Sequence, residues 1–207
     1  MEPITLLFIL TSVIIIMTPG QDMILVMSRS ISQGKKAGIT TAFGISIGLM
    51  GHTLLATFGL GALLMTSQWL FDIIKFIGAA YLIYIGTQLL FSKNPKLAMK
   101  DLPKVSYKKM LMQGALTNIM NPKITIFYFS YLPQFVNINN GNESLQLFIL
   151  GLTFAVLTFI IKAPIGFISG LLSFWIQARP IVLNYINKTS GFILILLGLK
   201  LASEQRN

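Results

Sequence analysis

The sequence contains no cysteine and a single histidine, His52. Without cysteine the chain cannot form disulfides or thiolate metal sites, and one histidine is too few for an imidazole metal site. It also has no Gly-x-Ser-x-Gly, no His-Glu-x-x-His and no Walker phosphate-binding loop. We therefore predict a protein that is not an enzyme. We expect no catalytic residues, no metal, no cofactor and no ATP hydrolysis, which leaves an ion gradient or passive flow to drive any transport.

Charged residues are also scarce. They make up 11% of the chain, whereas soluble domains carry about 25%, and 54% of the residues are hydrophobic, with a mean hydropathy of +0.75. A membrane-spanning helix needs about 20 mostly apolar residues. Six runs meet this requirement: 4–27, 37–64, 73–91, 110–132, 145–174 and 182–202. The sequence predicts an all-α, multi-pass membrane protein with one domain, residues 1–207, embedded in the lipid bilayer.

Basic residues outnumber acidic ones, giving a net charge of +10, and they are unevenly distributed. Eleven of the sixteen lie in or beside the first, third and fifth loops: Arg29, Lys35, Lys36, Lys93, Lys96, Lys100, Lys104, Lys108, Lys109, Arg179 and Lys188. The second and fourth loops have none. Because basic loops face the cytoplasm, we expect both termini outside. The third loop lacks the interleaved aromatic residues of nucleic-acid-binding segments, so we expect no nucleic-acid partner.

Two of the predicted spans, the first and the fourth, are interrupted by proline. The first break reads Met17-Thr18-Pro19-Gly20-Gln21-Asp22 and the second reads Asn118-Ile119-Met120-Asn121-Pro122-Lys123. Proline removes a backbone donor and cannot continue an α-helix cleanly. Within lipid, freed backbone groups are tolerated only where protein or a water-filled cavity satisfies them. A matched pair of broken helices therefore indicates a transporter binding site.

The two halves of the chain share more than their breaks. The sixth span repeats the spacing of the third: Leu82, Ile83, Gly86 and Leu89 correspond to Leu194, Ile195, Gly198 and Leu201. Because each half has three spans, the second half must enter the membrane from the opposite face. We predict a 3+3 inverted-topology repeat, with halves at about 1–95 and 105–207 and the substrate between them. Rocking of one half against the other would give alternating access.

The candidate substrate site consists of the residues at the two breaks: Pro19, Gly20, Gln21, Asp22, Asn118, Asn121, Pro122 and Lys123. A carboxylate within the membrane costs about 2.5–3.5 kcal/mol, so Asp22 should face a partner or a cavity. It could bind a substrate ammonium group, while Lys123 or a half-helix N-terminus binds a carboxylate. Two alternatives remain open: an Asp22–Lys123 salt bridge that only joins the repeats, and a Lys123 that extends to the interface. Asn118 and Asn121 serve equally well as caps of the freed backbone.

Three residues are candidates for proton coupling: Asp22, His52 and Lys162. Histidine titrates near physiological pH, and a lysine in the middle of a span, here just before Pro164, seldom faces lipid. The alternative for His52 is a hydrogen-bonded side chain packed between helices. The sequence does not identify the partner of Lys162.

Small and aromatic residues indicate how the helices pack. Gly44-x-x-x-Gly48 allows close backbone approach, either within the chain or in a homodimer. The run Phe127-Tyr128-Phe129 with Tyr131 is typical of an interfacial belt or of lipid contact, and a pathway lining is the alternative.

Several stretches together carry a family resemblance: Thr18-Pro19-Gly20-Gln21-Asp22, Ser28-Arg29-Ser30, residues 33–38, 44–52 and 78–82 with Gly86, residues 118–123, and Leu132-Pro133-Gln134-Phe135. They resemble the LysE/RhtB family of small bacterial amino-acid exporters. Two positions depart from the family pattern. Gln21 replaces the second proline of the usual Pro-Gly-Pro, and Lys162 stands where members often have an uncharged or acidic residue.

The resemblance implies a secondary transporter that exports amino acids or close analogues across the bacterial cytoplasmic membrane, coupled to protons. Two other functions stay open at this point. The chain could be a channel-like exporter of another small solute, or a membrane scaffold subunit that transports nothing.

Overall fold

The computed structural model is built from helices, with no strand in the residues that it describes: 3–60, 68–91, 102–137, 141–178 and 180–203. These ranges contain eight α-helices: α1 (Pro3–Met17), α2 (Gln21–Gln33), α3 (Lys35–Leu55), α4 (Gln68–Leu90), α5 (Tyr107–Ile119), α6 (Pro122–Ile126), α7 (Glu143–Ala178) and α8 (Pro180–Ser203). A π-helical turn, Ala56–Leu60, follows α3; a second one, Phe127–Tyr131, and a 3₁₀ turn, Leu132–Phe135, follow α6. The predicted all-α class is confirmed.

Helices occupy all six predicted spans, although residues 61–64 of the second span lie outside the described ranges. Two stretches, Lys35–Gly59 and Glu143–Ser169, are each long and apolar enough to cross a membrane alone. The bent pair Leu6–Met17 and Gln21–Gln33 can form a third crossing, and Lys75–Leu90 is apolar but shorter. A membrane protein is therefore supported, while six crossings and an inverted repeat stay predictions.

Both predicted proline breaks are present. The axes of α1 and α2 differ by 54°, and the Gly20 backbone at the break is extended. At the second break the Asn121 side chain accepts a hydrogen bond from the backbone nitrogen of Lys123 at 3.1 Å, which caps α6. Pro122 then takes the first helical position, where its missing N–H removes no helical bond.

Glycines let the helices of the bundle pack with backbones in contact. A Cβ atom on Gly44 would collide with the Leu111 carbonyl of α5, and one on Gly48 would lie 2.6 Å from the Ala115 carbonyl oxygen. The face of α3 that carries the Gly44-x-x-x-Gly48 motif is therefore used within the chain. The most extensive helix pairs are α4 with α8, α3 with α7, and α3 with α5.

The aromatic run after α6 lies in the protein interior. Phe127, Tyr128 and Tyr131 are buried, so the prediction that this run contacts lipid or the interface is wrong for these three residues. The Phe127 ring stacks on Phe154 with centroids 4.5 Å apart. The Tyr128 hydroxyl donates to the Gly151 carbonyl at 3.1 Å, which satisfies its polar atom in the core. We call the connected rings the aromatic cluster: Phe8, Phe127, Tyr128, Tyr131, Phe135 and Phe154.

The end of α2 meets the segment that precedes α5. The Arg29 guanidinium donates from Nη1 to the Pro103 carbonyl at 2.8 Å and from Nη2 to Gln113 Oε1 at 2.6 Å. Gln33 exchanges two hydrogen bonds of 2.9 Å with the Val105 backbone. The first and third loops thus share one end of the bundle. We call it the basic end, after Arg29, Lys35, Lys36, Lys104, Lys108 and Lys109; Lys93, Lys96, Lys100 and Arg179 lie outside the described residues.

Candidate functional site

A cavity of about 330 Å³ lies where the two breaks meet. All eight residues of the predicted substrate site line its wall, although they come from positions almost a hundred residues apart: Pro19, Gly20, Gln21, Asp22, Asn118, Asn121, Pro122 and Lys123. Lys162 of α7 also lines it. The two interrupted helices therefore contribute to a single site.

Asp22 is the central acid of this cavity. It occupies the first turn of α2, where the helix dipole favours a negative charge, and only 3% of it is exposed. Its Oδ2 atom accepts from Asn118 Nδ2 at 2.9 Å and from Lys162 Nζ at 3.2 Å. Its Oδ1 atom has no hydrogen-bond partner among the described residues. One of the two carboxylate oxygens is thus left to accept hydrogen bonds from a ligand.

Lys162 reaches Asp22 from the middle of α7, and the pair forms a salt bridge in which both side chains are buried. The partner that the sequence left unidentified is therefore Asp22. Such a buried pair contributes little net stability, because removing both charges from water offsets their attraction. Its presence in the cavity wall fits a functional role better than a stabilising one.

Lys123 neither pairs with Asp22 nor extends to the membrane interface. Its Nζ atom donates to the carbonyl oxygens of Ile15 at 2.8 Å and of Thr18 at 3.2 Å. Ile15 lies four residues before Pro19, whose nitrogen carries no hydrogen, so this carbonyl has lost its normal helical partner. The ammonium group therefore caps α1 and complements the negative end of its dipole.

His52 contacts the second break, where the Asn118 carbonyl also accepts a hydrogen bond from the Asn121 backbone nitrogen at 2.9 Å. Its Nε2 atom lies 3.3 Å from the carbonyl oxygen of Asn118, the residue four positions before Pro122. His52 is buried beside Tyr128, with ring centroids 5.4 Å apart, and it is not part of the cavity wall. Of the three proton-coupling candidates, the structure places Asp22 and Lys162 in direct contact. It connects His52 to them through Asn118.

Five polar residues of the cavity were not predicted as site residues; one of them, Thr18, lies in the first break. Tyr81, Tyr84 and Gln88 line the cavity from α4, and Thr158 lines it from α7. The signal for the first three was a polar face at positions i, i+3 and i+7 of an otherwise apolar helix. Thr158 lies four residues before Lys162 and so shares its helix face.

The chemistry of the wall suits a small molecule that carries both charges. Three oxygen atoms of its residues lack a partner among the described part of the chain: Asp22 Oδ1, Asn118 Oδ1 and Thr158 Oγ1. They can accept hydrogen bonds from an ammonium group. Donors are supplied by Lys162 and by the free N–H groups at the start of α2, which no side chain caps. Leu49 and Phe154 add apolar surface.

Comparisons with known proteins cover almost the whole chain. A family model described as LysE type translocator matches residues 13–205. The chain is 34% identical over 205 residues to the uncharacterized membrane protein YrhP of Bacillus subtilis (strain 168), covering 94% of this chain and 96% of that protein. It is 29% identical over 200 residues to an uncharacterized membrane protein of Vibrio cholerae, with 97% of each chain covered.

A third relative has a named activity. The chain is 30% identical over 199 residues to the homoserine/homoserine lactone efflux protein of Salmonella typhimurium (strain LT2), covering 96% of this chain and 95% of that protein. No solved structure matches the chain.

Proposed function

The chain belongs to the family of LysE type translocators, and from this premise we propose that it exports amino acids or close analogues as a secondary active transporter. Membership makes it a membrane transport protein and not an enzyme. The efflux activity named for the Salmonella relative supports an amino acid of the homoserine type as substrate.

One observation carries the substrate site: Asp22 is buried at the helix break with one carboxylate oxygen unpartnered among the described residues. We infer that the substrate ammonium group binds this oxygen together with Asn118 Oδ1 and Thr158 Oγ1. The substrate carboxylate then meets Lys162 and the N–H groups at the start of α2. Pro19, Gly20, Gln21, Asn121, Pro122 and Lys123 shape the remaining wall.

The same carboxylate offers a simple means of proton coupling. A proton on Asp22 neutralises the charge that holds the substrate ammonium group, so proton and substrate compete for one site. Loading from the cytoplasm with Asp22 ionised, followed by protonation from outside, would exchange one substrate for one proton. Lys162 and His52 lie in the same hydrogen-bonded set, through Asp22 and Asn118 respectively, and are the further candidates for this role.

Alternating access by an inverted repeat is supported by the pairing of equivalent helices. The predicted second and fifth spans pack as α3 and α7, and the third and sixth as α4 and α8. A Cβ on Gly86 would meet the Gly191 carbonyl, and one on Gly198 would meet the Ala79 carbonyl. Ala79 and Gly86 lie two helical turns apart, as do Gly191 and Gly198. In the predicted repeat Gly86 corresponds to Gly198 and Ala79 to Gly191. A repeat that relates the two halves therefore turns one of these contacts into the other.

The charge distribution supports a position in the bacterial cytoplasmic membrane with the basic end inside and both termini outside. The aromatic cluster packs beside the cavity. Its member Phe8 lies towards the outer end of the first predicted span, and Phe135 lies just beyond the outer end of the fourth. Tyr84 and Gln88, nearer the basic end, are exposed. We infer that this conformation is closed towards the outside and faces the cytoplasm.

Efflux from intact cells tests the proposal. Cells are loaded with dipeptides, which are hydrolysed inside, and the release of amino acids is followed for wild type and two variants. Asp22→Asn should abolish release, whereas Asp72→Asn should leave it unchanged, because Asp72 pairs with Lys75 on α4 away from the cavity. Normal release from an Asp22→Asn variant present at wild-type levels in the membrane would contradict the proposal.

A further inference from the structure

We propose that Lys162 acts as a built-in second ammonium group that excludes amino acids with a cationic side chain, so that the substrates carry a single ammonium group. The inference rests on the proposed function and names the substrate class of the same cavity. It follows from the charges that line the wall, from the hydrogen-bonding capacity of Asp22, and from the different surroundings of the two lysines.

The cavity already holds an excess of positive charge. Its wall includes one carboxylate, on Asp22, and two ammonium groups, on Lys123 and Lys162. A zwitterionic amino acid adds no net charge to this set. Lysine, ornithine or arginine would add a further positive charge at close range to two others. Like charges brought together where little water screens them disfavour binding strongly.

Asp22 has capacity for only one more ammonium group. Its Oδ2 atom already accepts from Asn118 and Lys162, and only Oδ1 is left for the substrate. No second carboxylate lines the cavity within the described part of the chain. A cationic side chain would therefore find only neutral acceptors, such as Asn118 Oδ1 and Thr158 Oγ1, for its charge.

The two lysines differ in what they do. Lys123 donates hydrogen bonds to two carbonyl oxygens at the negative end of α1, so its charge stabilises the helix break. Lys162 instead binds the same carboxylate that we assign to the substrate. Its ammonium group occupies the place that a second substrate ammonium group would need. Lys162 is thus the residue whose replacement should change the charge preference of the site.

Competition for transport tests this inference. Purified protein in proteoliposomes transports labelled homoserine, and unlabelled lysine and norleucine compete with it. These two competitors have the same four-carbon side chain, to which lysine adds a terminal ammonium group. We expect lysine to compete about tenfold or more weakly than norleucine, which corresponds to about 1.4 kcal/mol. In Lys162→Gln, which keeps a donor for Asp22 but no charge, lysine should gain about tenfold relative to norleucine.

The matched control is Lys109→Gln, because Lys109 is exposed at the basic end, and it should leave the ratio unchanged. Equal competition by lysine and norleucine in the wild type would overturn the inference, even if Lys162→Gln fails to fold. So would a folded Lys162→Gln protein that still rejects lysine. If labelled homoserine is not transported at all, the proposed function fails instead, which distinguishes this outcome from a failure of the inference.

Discussion

The ammonium group of Lys123 donates to the carbonyl oxygen of Ile15 at 2.8 Å, and this carbonyl would bond to residue 19 if that residue were not proline. A residue that follows the second break therefore satisfies the backbone opened by the first. Asp22, which follows the first break, in turn binds Asn118 in the last turn before the second. The two breaks support each other, and this mutual support builds the cavity between them.

Replacing Lys123 by methionine should destabilise the protein. The substitution leaves the carbonyls of Ile15 and Thr18 without this donor in a buried site, and an unsatisfied buried acceptor costs about 1–3 kcal/mol. Thermal unfolding in detergent measures the effect. Lys109→Met is the control, since Lys109 is exposed. Equal unfolding temperatures for the two variants would show that Lys123 does not support the break.

Gly44→Ala should also destabilise the protein, because the added methyl group would collide with the Leu111 carbonyl of α5. Overpacking of this kind costs about 1–3 kcal/mol. Gly59→Ala is the matched control, since a Cβ at Gly59 meets nothing within 4 Å. The yield of folded protein and its unfolding temperature report the difference. A Gly44→Ala protein as stable as Gly59→Ala would rule out the close contact between α3 and α5.

The lack of cysteine allows a direct test of topology. Single substitutions Ser144→Cys, exposed at the start of α7, and Lys36→Cys, exposed at the basic end, need no prior removal of native thiols. A membrane-impermeant maleimide should label the Ser144→Cys variant in intact cells. It should label the Lys36→Cys variant only after permeabilisation. The reverse pattern would place the basic end outside and contradict the predicted orientation.

Proton coupling predicts that an imposed pH gradient changes the rate of transport in proteoliposomes. Protons on the side to which substrate is released should accelerate transport by the wild type, because they displace substrate from Asp22. His52→Gln keeps a donor for the Asn118 carbonyl but cannot take up a proton. An acceleration that persists in this variant assigns the coupling to Asp22 without His52, whereas its loss adds His52 to the proton route. Equal rates with and without the gradient in the wild type would exclude proton coupling.

Much of the site was predictable from the sequence, because proline acts locally. Pro19 and Pro122 mark where a helix must open, and the polar residues beside them have to serve the opened backbone. These positions coincide with the cavity wall. The family resemblance added a substrate class, which the comparisons support.

Other features depend on how distant helices pack, and the sequence carries no local signal for them. Lys162 stands 140 positions from Asp22, and only the packing of α7 against α2 makes them partners. Thr158 and the polar face of α4 enter the cavity for the same reason. The run from Phe127 to Tyr131 was misjudged because an apolar side chain in a membrane helix suits lipid and protein interior equally well.

Equilibrium binding to the purified protein tests whether the substrate ammonium group binds to Asp22. Isothermal titration compares homoserine with its analogue in which a hydroxyl replaces the α-amino group, for wild type and Asp22→Asn. Wild type should bind homoserine at least about tenfold more tightly than the analogue, and Asp22→Asn should remove this preference. An undiminished preference in a folded Asp22→Asn protein would show that the ammonium group binds elsewhere.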